Sequence, residues 1–492
     1  MSDALYDRLG IRPFINCCGT RTVHGGSLML PEVTEAMTRA AGQFVNLNEL
    51  VLAAGRRIAQ LTGAESALVT SGGAASLVAA TAGAMTKGDP ERMLRIPNTD
   101  GLPHRVVMPA GARFTYDHAI RTTGAVVVEV ADRAAMAAAL RTGTALVATI
   151  GTKDADLPIR LEECVALAEP LGIPVLVDAA SEHLERPDPY LARGASYVAY
   201  SGGKYLRGPQ STGLLLGKRA WIEAARLNAS PHHAIGRPMK ISKEEVMGLL
   251  AAVEYWADGR DHKAEHARWT TDLETIAALV RKVGTVTAEI IAPAKAHEQV
   301  PKLLISWERD RIGIGGLDLR ELLLAHNPRI MLDDRGATDR SVFILPFNLG
   351  PGEAAIVGAA IAQALASAKP QPVAAIEAPA LDLTGLWEVQ IAFAAETTPH
   401  RVRFRQTAGT LAGMHALIDL VGPLTGTIAG SHVAFSSLHP YEGSNLSYAF
   451  TGTIADGGMS GTVLLGTSGD SAPGPLNMRE FGSASWTARR LG

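Results

Sequence analysis

From about residue 45 to 220 the chain alternates between two hydrophobic periods. Leu47, Leu50, Val51, Ala54, Ile58 and Leu61 recur at helical spacing, ESALVTS is a short apolar run typical of a fully buried strand, and AASLVAATAGAM returns to a helix. The rhythm continues through RVVM, YDHAIRTTG, AVVVEV, DRAAMAAALR, TALVATI, RLEECVALAEPLG and PVLVDAA. Buried strands separated by helices predict a parallel sheet with right-handed crossovers, here spanning 45–229 behind an N-terminal segment 1–44. Residues 230–368 predict a smaller α/β unit, with a long helical region from Ser242, strands in KLLISWER and SVFILPF, and a closing helix GEAAIVGAAIAQALASA.

The pattern then changes character. KPQPVAAIEAPALD, residues 369–382, is rich in Pro and Ala, has no period, and predicts a linker. Residues 383–492 carry alternating apolar and polar positions in LWEVQIAF, HRVRFRQ, GTIAGSHVAFSS, SYAFTGTIA, MSGTVLLG and SASWTARR, separated by Gly-containing turns. Alternation of period two predicts an antiparallel sheet closed, or nearly closed, into a small barrel, with an open sandwich as the other option.

A length of 492 residues exceeds what one hydrophobic core supports, in keeping with several units. With 47% hydrophobic and 19% charged residues and Gly 50, the composition fits a globular α/β enzyme with many tight turns. No apolar run reaches the roughly 20 residues of a membrane span, and MSDALYDRLGIRPF lacks the basic-then-apolar pattern of a signal peptide, so the expected location is the cytoplasm. The three cysteines, two of them adjacent at Cys17 and Cys18, make neither a disulfide framework nor zinc-site spacing, and no metal is expected. A formal charge of −3 argues against a partner such as nucleic acid.

Against this frame, residues from several places suggest one site. SGGK, Ser201 to Lys204, places a lysine after a Gly pair; a lysine forms a Schiff base with an aldehyde when its amine is partly neutral and held close. Taken singly, such a lysine is more often a turn residue. PVLVDAAS ends a buried apolar run on Asp178, a costly place for a carboxylate unless it meets a positive group such as a protonated pyridine nitrogen; the plainer reading is a helix cap. TSGGAAS, Thr70 to Ser76, sets Gly72 and Gly73 between a strand and a helix, where backbone N–H groups bind phosphate, although most Gly pairs are merely tight turns. The Asp follows the Gly turn by about 105 residues and the Lys follows the Asp by 26, and the combination is more specific than its parts.

In SGGKYLRGPQSTGLLLG, VDAASEH, TSGGAAS, FINCCGTRTVHGG and HHAIGRPMKISKEEV, the chain from about 5 to 368 resembles the fold-type I pyridoxal 5′-phosphate superfamily, in its selenocysteine synthase-like branch. That branch includes the L-seryl-tRNA selenium transferases and D-glucosaminate-6-phosphate ammonia-lyase. The resemblance implies that Lys204 forms the internal Schiff base and Asp178 holds the pyridine nitrogen. It implies further that Ser181 lies near the cofactor's phenolic oxygen, and that Ser71, Gly72, Gly73, Ala74 and Ser201 hold its phosphate. Relatives cover the cofactor ring with an aromatic residue or His from the loop before YDHAIRTTGA. This chain departs from them with ARF, Ala112 standing where the His is expected, which leaves Phe114, Tyr116 and His118 as candidates. Arg237 and Lys240 in GRPMK match two basic positions that hold an anion in the selenium transferases; a solvated basic turn is the alternative, and Arg207 is a further anion-binding candidate. His232 and His233 stand beside no carboxylate or Cys at ligand spacing.

The resemblance also implies a homodimer or larger assembly with active sites at subunit interfaces, where Thr212 would contact the neighbour's cofactor. Selenium transfer itself is disfavoured: the chain has no basic N-terminal tRNA-binding domain, its balance is acidic, and its β-domain lies at the other end. The leading expectation is a lyase of the ammonia-lyase type, eliminating a β-substituent from a small anionic amino acid or amino sugar acid. A racemase or epimerase is the second, and a non-catalytic binding protein that keeps the fold is the third.

Overall fold

The computed structural model describes residues 4–293, 300–308, 310–334, 336–369, 377–468 and 480–491. Its largest unit is built on a seven-stranded sheet whose strands lie in the order Ser66–Thr70, Gly213–Gly217, Tyr197–Ser201, Val175–Asp178, Thr144–Ile150, Arg105–Pro109 and Val126–Val130. Six strands share one direction, and Gly213–Gly217 runs antiparallel to both neighbours. The parallel expectation thus needs one correction. The chain passes from Ser201 to Gly213 without the crossover helix that a parallel return requires, so the strand comes back reversed.

Helix Gly73–Thr86 is buried on nearly every face, which explains why its sequence is apolar all round rather than striped. Gly83 permits its closest contact: a Cβ there would stand 2.7 Å from the backbone nitrogen of Ala225 in helix Arg219–Asn228. The helix expected in YDHAIRTTG is reduced to a 3-10 turn, Thr115–Asp117, and one α-turn, His118–Arg121. Thr122 and Thr123 are β-branched and Gly124 takes φ +85°, a sequence that stops rather than extends a helix.

The smaller unit has a three-stranded antiparallel sheet, Ser341–Ile344, Lys302–Trp307 and Val286–Ile291, packed against helices His262–Val280 and Glu353–Ser367. Helix Lys243–Asp258 begins where expected, because the Ser242 hydroxyl accepts from the Glu245 amide and the Glu245 carboxylate accepts from the Ser242 amide. The N-terminal segment joins this unit by pairing Phe14–Cys17 in parallel with Arg329–Leu332.

The C-terminal unit is a closed barrel of eight antiparallel strands, Gly385–Ala392, Thr397–Thr407, Thr410–Ala416, Val421–Ala429, His432–Tyr441, Ser444–Ala455, Gly458–Ser468 and Ser483–Arg490. Each pairs with the next and the last with the first, so closure removes the edges and the sandwich option falls. The second half of the expected linker already lies on the barrel: the Ala380 amide donates to Gly430 O at 2.8 Å and the Gly430 amide to Glu377 O at 3.3 Å. Residues 370–376 of that linker lie outside the described residues. Among the described residues, no helix is long and apolar enough to cross a membrane.

Trp387, Trp486, Phe404, Phe435 and Phe450 fill the barrel interior. Toward the end that carries hairpin Tyr441–Ser444, apolar filling gives way to a polar string. His400 Nδ1 lies 2.9 Å from His415 Nε2, His415 Nδ1 lies 2.7 Å from Ser437 Oγ, and His439 Nε2 lies 3.1 Å from the same oxygen. Burial, and repulsion among the rings, lowers His400 to about 4 and His415 to about 2, and burial lowers His439. These imidazoles stay neutral at pH 7. Below an ordinary histidine pKa of about 6.5 the unfolded chain binds protons that the folded barrel refuses, so stability is full above that pH and falls as pH drops. Barrel unfolding, followed by hydrogen exchange of its strands, should therefore become easier between pH 7 and pH 5, the loss of stability being at most about 1.4 kcal/mol per histidine per pH unit, and His415→Asn should flatten that dependence. Equal barrel stability at the two pH values would contradict the assignment of three neutral rings.

Candidate active site

The carboxyl ends of Ser66–Thr70, Val175–Asp178 and Tyr197–Ser201 face the same side of the sheet, where ligands bind in open α/β folds. Three segments meet there. The Gly turn 71–74 leads into helix Gly73–Thr86, whose N-cap Gly72 has φ +93° and offers no side-chain cap to the first amides. A Cβ on Gly73 would lie 3.4 Å from the Ala180 Cβ and 3.8 Å from Tyr200 O, so the turn sits against both the segment after Asp178 and the strand before Lys204.

Asp178 is the last residue of its strand and only 8% exposed. Its Oδ1 accepts from the Ala180 amide at 2.8 Å. Burial pushes its carboxyl pKa up, while that hydrogen bond and the nearby Lys204 ammonium pull it down. The structure thus joins the two residues that the spacing singled out, a buried acid and a lysine felt by it. Ser71, Gly72 and Gly73 are half-buried in the turn, Ala74 and Ser181 are exposed, and Ser201 closes its strand half-buried.

The N-terminal segment closes over this region. Ser27 donates to Gly203 O from its amide at 3.1 Å and from its hydroxyl at 3.0 Å. Gly26 is required beside it, because φ is +74° and a Cβ would stand 2.7 Å from Gly203 O. Arg207 is drawn into the same seam, its Nε donating to Leu28 O at 3.0 Å.

Other candidates fall elsewhere. Of the three residues considered for the cofactor ring, Phe114 is buried at 7% exposure, whereas Tyr116 and His118 are exposed. Arg237, Lys240 and His233 line an open cleft of about 660 Å³ together with Met93, Leu94 and Ile96, and neither Lys204 nor Asp178 lines it. Thr212, considered above as a contact to a neighbour's cofactor, is fully buried within its own chain, and its hydroxyl donates to Pro209 O at 2.7 Å.

Sequence reasoning missed a group next to the lysine. His183 stacks on Tyr205 with ring centroids 4.0 Å apart, and burial and the Arg260 charge lower it to about 3. Arg260 donates to Tyr205 O and from Nε to Glu265 at 2.7 Å. His183, Glu265 and Trp269 help line a cavity of about 230 Å³. Glu182, raised to about 7 mainly by burial, accepts from the Tyr190 hydroxyl at 2.5 Å. VDAASEH held the signal for His183 and Glu182 in its last two letters; Arg260 and Trp269 carried none, being brought in by the helical hairpin after Ser242.

The residues present fit pyridoxal phosphate. An uncapped helix N-terminus suits a phosphate, a buried carboxylate suits a pyridinium, and a lysine beside it suits the aldehyde. No family model matches the chain. It is 30% identical to D-glucosaminate-6-phosphate ammonia lyase of Salmonella typhimurium over 334 residues, 66% of this chain and 87% of that one. It is also 30% identical to 5′-C-glycyluridine monooxygenase-decarboxylase of a Streptomyces species over 367 residues, 72% of this chain and 90% of that one. A solved structure of D-glucosaminate-6-phosphate ammonia-lyase matches with a TM-score of 0.66 and 29% identity, over 75% of this chain and 100% of that one. Fold and site together define a fold-type I pyridoxal-phosphate enzyme. Within that class the chain belongs to the family of D-glucosaminate-6-phosphate ammonia lyase.

Asp178 generates a test that needs no turnover. Its raised pKa means that the carboxyl's contribution is fully present below the unfolded value and is lost as pH rises through the folded one. At neutral pH Asp178→Asn should therefore melt higher than wild type when both lack cofactor, yet hold pyridoxal phosphate more weakly. A lower melting temperature in the cofactor-free variant would show that Asp178 serves the fold instead.

Proposed function

We propose that this chain is a pyridoxal-phosphate-dependent lyase of the ammonia-lyase type, eliminating a β-substituent from a small anionic amino acid or amino sugar acid. The observation that carries it is the buried Asp178 beside Lys204, next to an uncapped helix N-terminus, in a chain of the ammonia-lyase family. Bound there, the cofactor supplies an electron sink for the substrate's α-carbon. The chain's residues do the rest. Asp178 would hold the pyridine nitrogen in its protonated state, and the Lys204 amine would accept the substrate's α-proton. The amides of Gly72, Gly73 and Ala74 and the hydroxyls of Ser71 and Ser201 would hold the phosphate, Ser181 would serve the phenolic oxygen, and Phe114 would cover the ring.

Arg237 and Lys240 grip the substrate's negative group. Because their cleft is separate from Lys204 within one chain, they act on the site of a second copy, in a homodimer or larger assembly. The three cysteines are free and buried, which supports a reducing compartment, the cytoplasm.

The test begins with a screen of D- and L-amino acids and phosphorylated amino sugar acids for release of ammonia and a 2-keto acid. Lys204→Ala should lose both turnover and the absorbance band of lysine-bound cofactor, and an unchanged spectrum would remove the assignment. Arg237→Ala and Lys240→Ala should each raise KM, or lower kcat, by about ten- to hundredfold with the cofactor spectrum intact. Solvent exchange and inversion of the α-proton without ammonia would replace the lyase by a racemase.

A further inference from the structure

The barrel meets the catalytic unit through hairpin Tyr441–Ser444, which joins strands His432–Tyr441 and Ser444–Ala455 and rests on segment Ala112–Arg121. At the centre of the contact is Asp117, 1% exposed. Its carboxylate accepts from Arg113 Nε at 2.5 Å and lies 3.7 Å from Arg121 Nε. Both arginines also reach the barrel: Arg113 Nη2 lies 2.5 Å from Glu442 Oε2, and the Arg121 guanidinium lies 5.9 Å from the Tyr441 ring centroid. Two acids and two guanidiniums thus balance in one network, and removing Glu442 leaves a positive excess around a buried carboxylate.

The hairpin tip is fitted as closely as the charges. A Cβ on Gly443 would stand 2.4 Å from Phe114 O and 2.5 Å from Asp117 Oδ2, so no larger residue fits without lifting the hairpin. Phe114 follows the carboxyl end of strand Arg105–Pro109, and helix His118–Arg121 packs on helix Gly73–Thr86, which begins at the phosphate turn. The segment that the barrel holds is therefore also the one that borders the cofactor side of the sheet.

We propose that the barrel is a positioning device for the active site: Glu442 and Gly443 hold Ala112–Arg121 in place and thereby seat Phe114 over the cofactor ring. This rests on the reading of Phe114 given above. Glu442 and Gly443 touch neither cofactor nor substrate and act through Arg113 and Asp117. Two turns of helical structure, Thr115–Arg121, are too short to hold a fixed place by themselves, so the segment needs an external partner. The hairpin provides one.

The experiment uses the whole chain in wild type, Glu442→Gln, Glu442→Asp and Gly443→Ala, with Glu388→Gln as a barrel control whose Arg489 pair lies elsewhere. Slow hydrogen exchange of the barrel strands verifies that the barrel is folded in each. Hydrogen exchange in cofactor-free protein reads the segment directly, and the absorbance band with the dissociation constant of pyridoxal phosphate reads the ring cover. In Glu442→Gln and Gly443→Ala, amides of 112–121 should exchange about tenfold faster and the cofactor should bind about tenfold more weakly, with Glu442→Asp restoring part of both and Glu388→Gln moving neither. Unchanged exchange overturns the clamp. Faster exchange with unchanged cofactor binding and spectrum overturns its coupling to the site. A wild type that binds no pyridoxal phosphate would count against the proposed function, while the exchange data would still judge the clamp.

Discussion

A carboxylate at the end of a buried strand is the constraint around which the catalytic unit is built. Asp178 follows Val175, Leu176 and Val177, all 2% exposed or less, so its charge sits where water contributes little. Such a group either stays protonated or requires a cation. The chain brings one from 26 residues away, because strand Tyr197–Ser201 lies beside Val175–Asp178 in parallel and delivers Lys204 just past the same end of the sheet. The Gly turn after Ser66–Thr70 reaches that edge too, and Gly73 is small enough to seat it against Ala180. Apolar strands, parallel direction and small residues at the strand ends are thus one arrangement, which brings an acid, an amine and an uncapped helix N-terminus to one end of the sheet.

Family membership narrows the chemistry without fixing it, since relatives at the same identity carry the names of an ammonia lyase and of a monooxygenase-decarboxylase. What separates such reactions lies around the shared core, in the groups that meet the substrate. Near that core the structure offers two concave surfaces, the cleft lined by Arg237 and Lys240 and the cavity lined by His183, Glu265 and Trp269, with His183 stacked on Tyr205. The cleft carries the basic pair Arg237 and Lys240 and is not lined by Lys204, whereas Glu265 stands in the cavity.

The barrel answers a different physical problem. Its eight strands close on themselves, so it needs no partner to satisfy its backbone, and it is free to use side chains and one hairpin for contact. Its interior is not uniformly apolar: the histidine string lies in the same half of the barrel as the docking hairpin, with His439 two residues before Tyr441. Burying these rings costs stability that an apolar layer would not, and the neutral state is what makes the layer tolerable.

Period and punctuation in the sequence determined most of the architecture. Short apolar runs between helical stretches required a buried sheet, strict alternation after residue 383 required antiparallel strands, and Ser242 with Glu245 marked a helix start, because each follows from local geometry and from burying one face. The pairing of Asp178 with Lys204 was legible for the same reason, both lying at strand ends of a sheet whose ends must align. Tertiary structure alone decided the reversed strand Gly213–Gly217, the burial of Thr212, the closure of the barrel, the placing of Arg237 and Lys240 in a cleft that Lys204 does not line, and the Arg113–Glu442 contact across 329 positions. Those depend on which distant surfaces meet, and a charge or a glycine looks the same in sequence whether it faces water or another part of the chain.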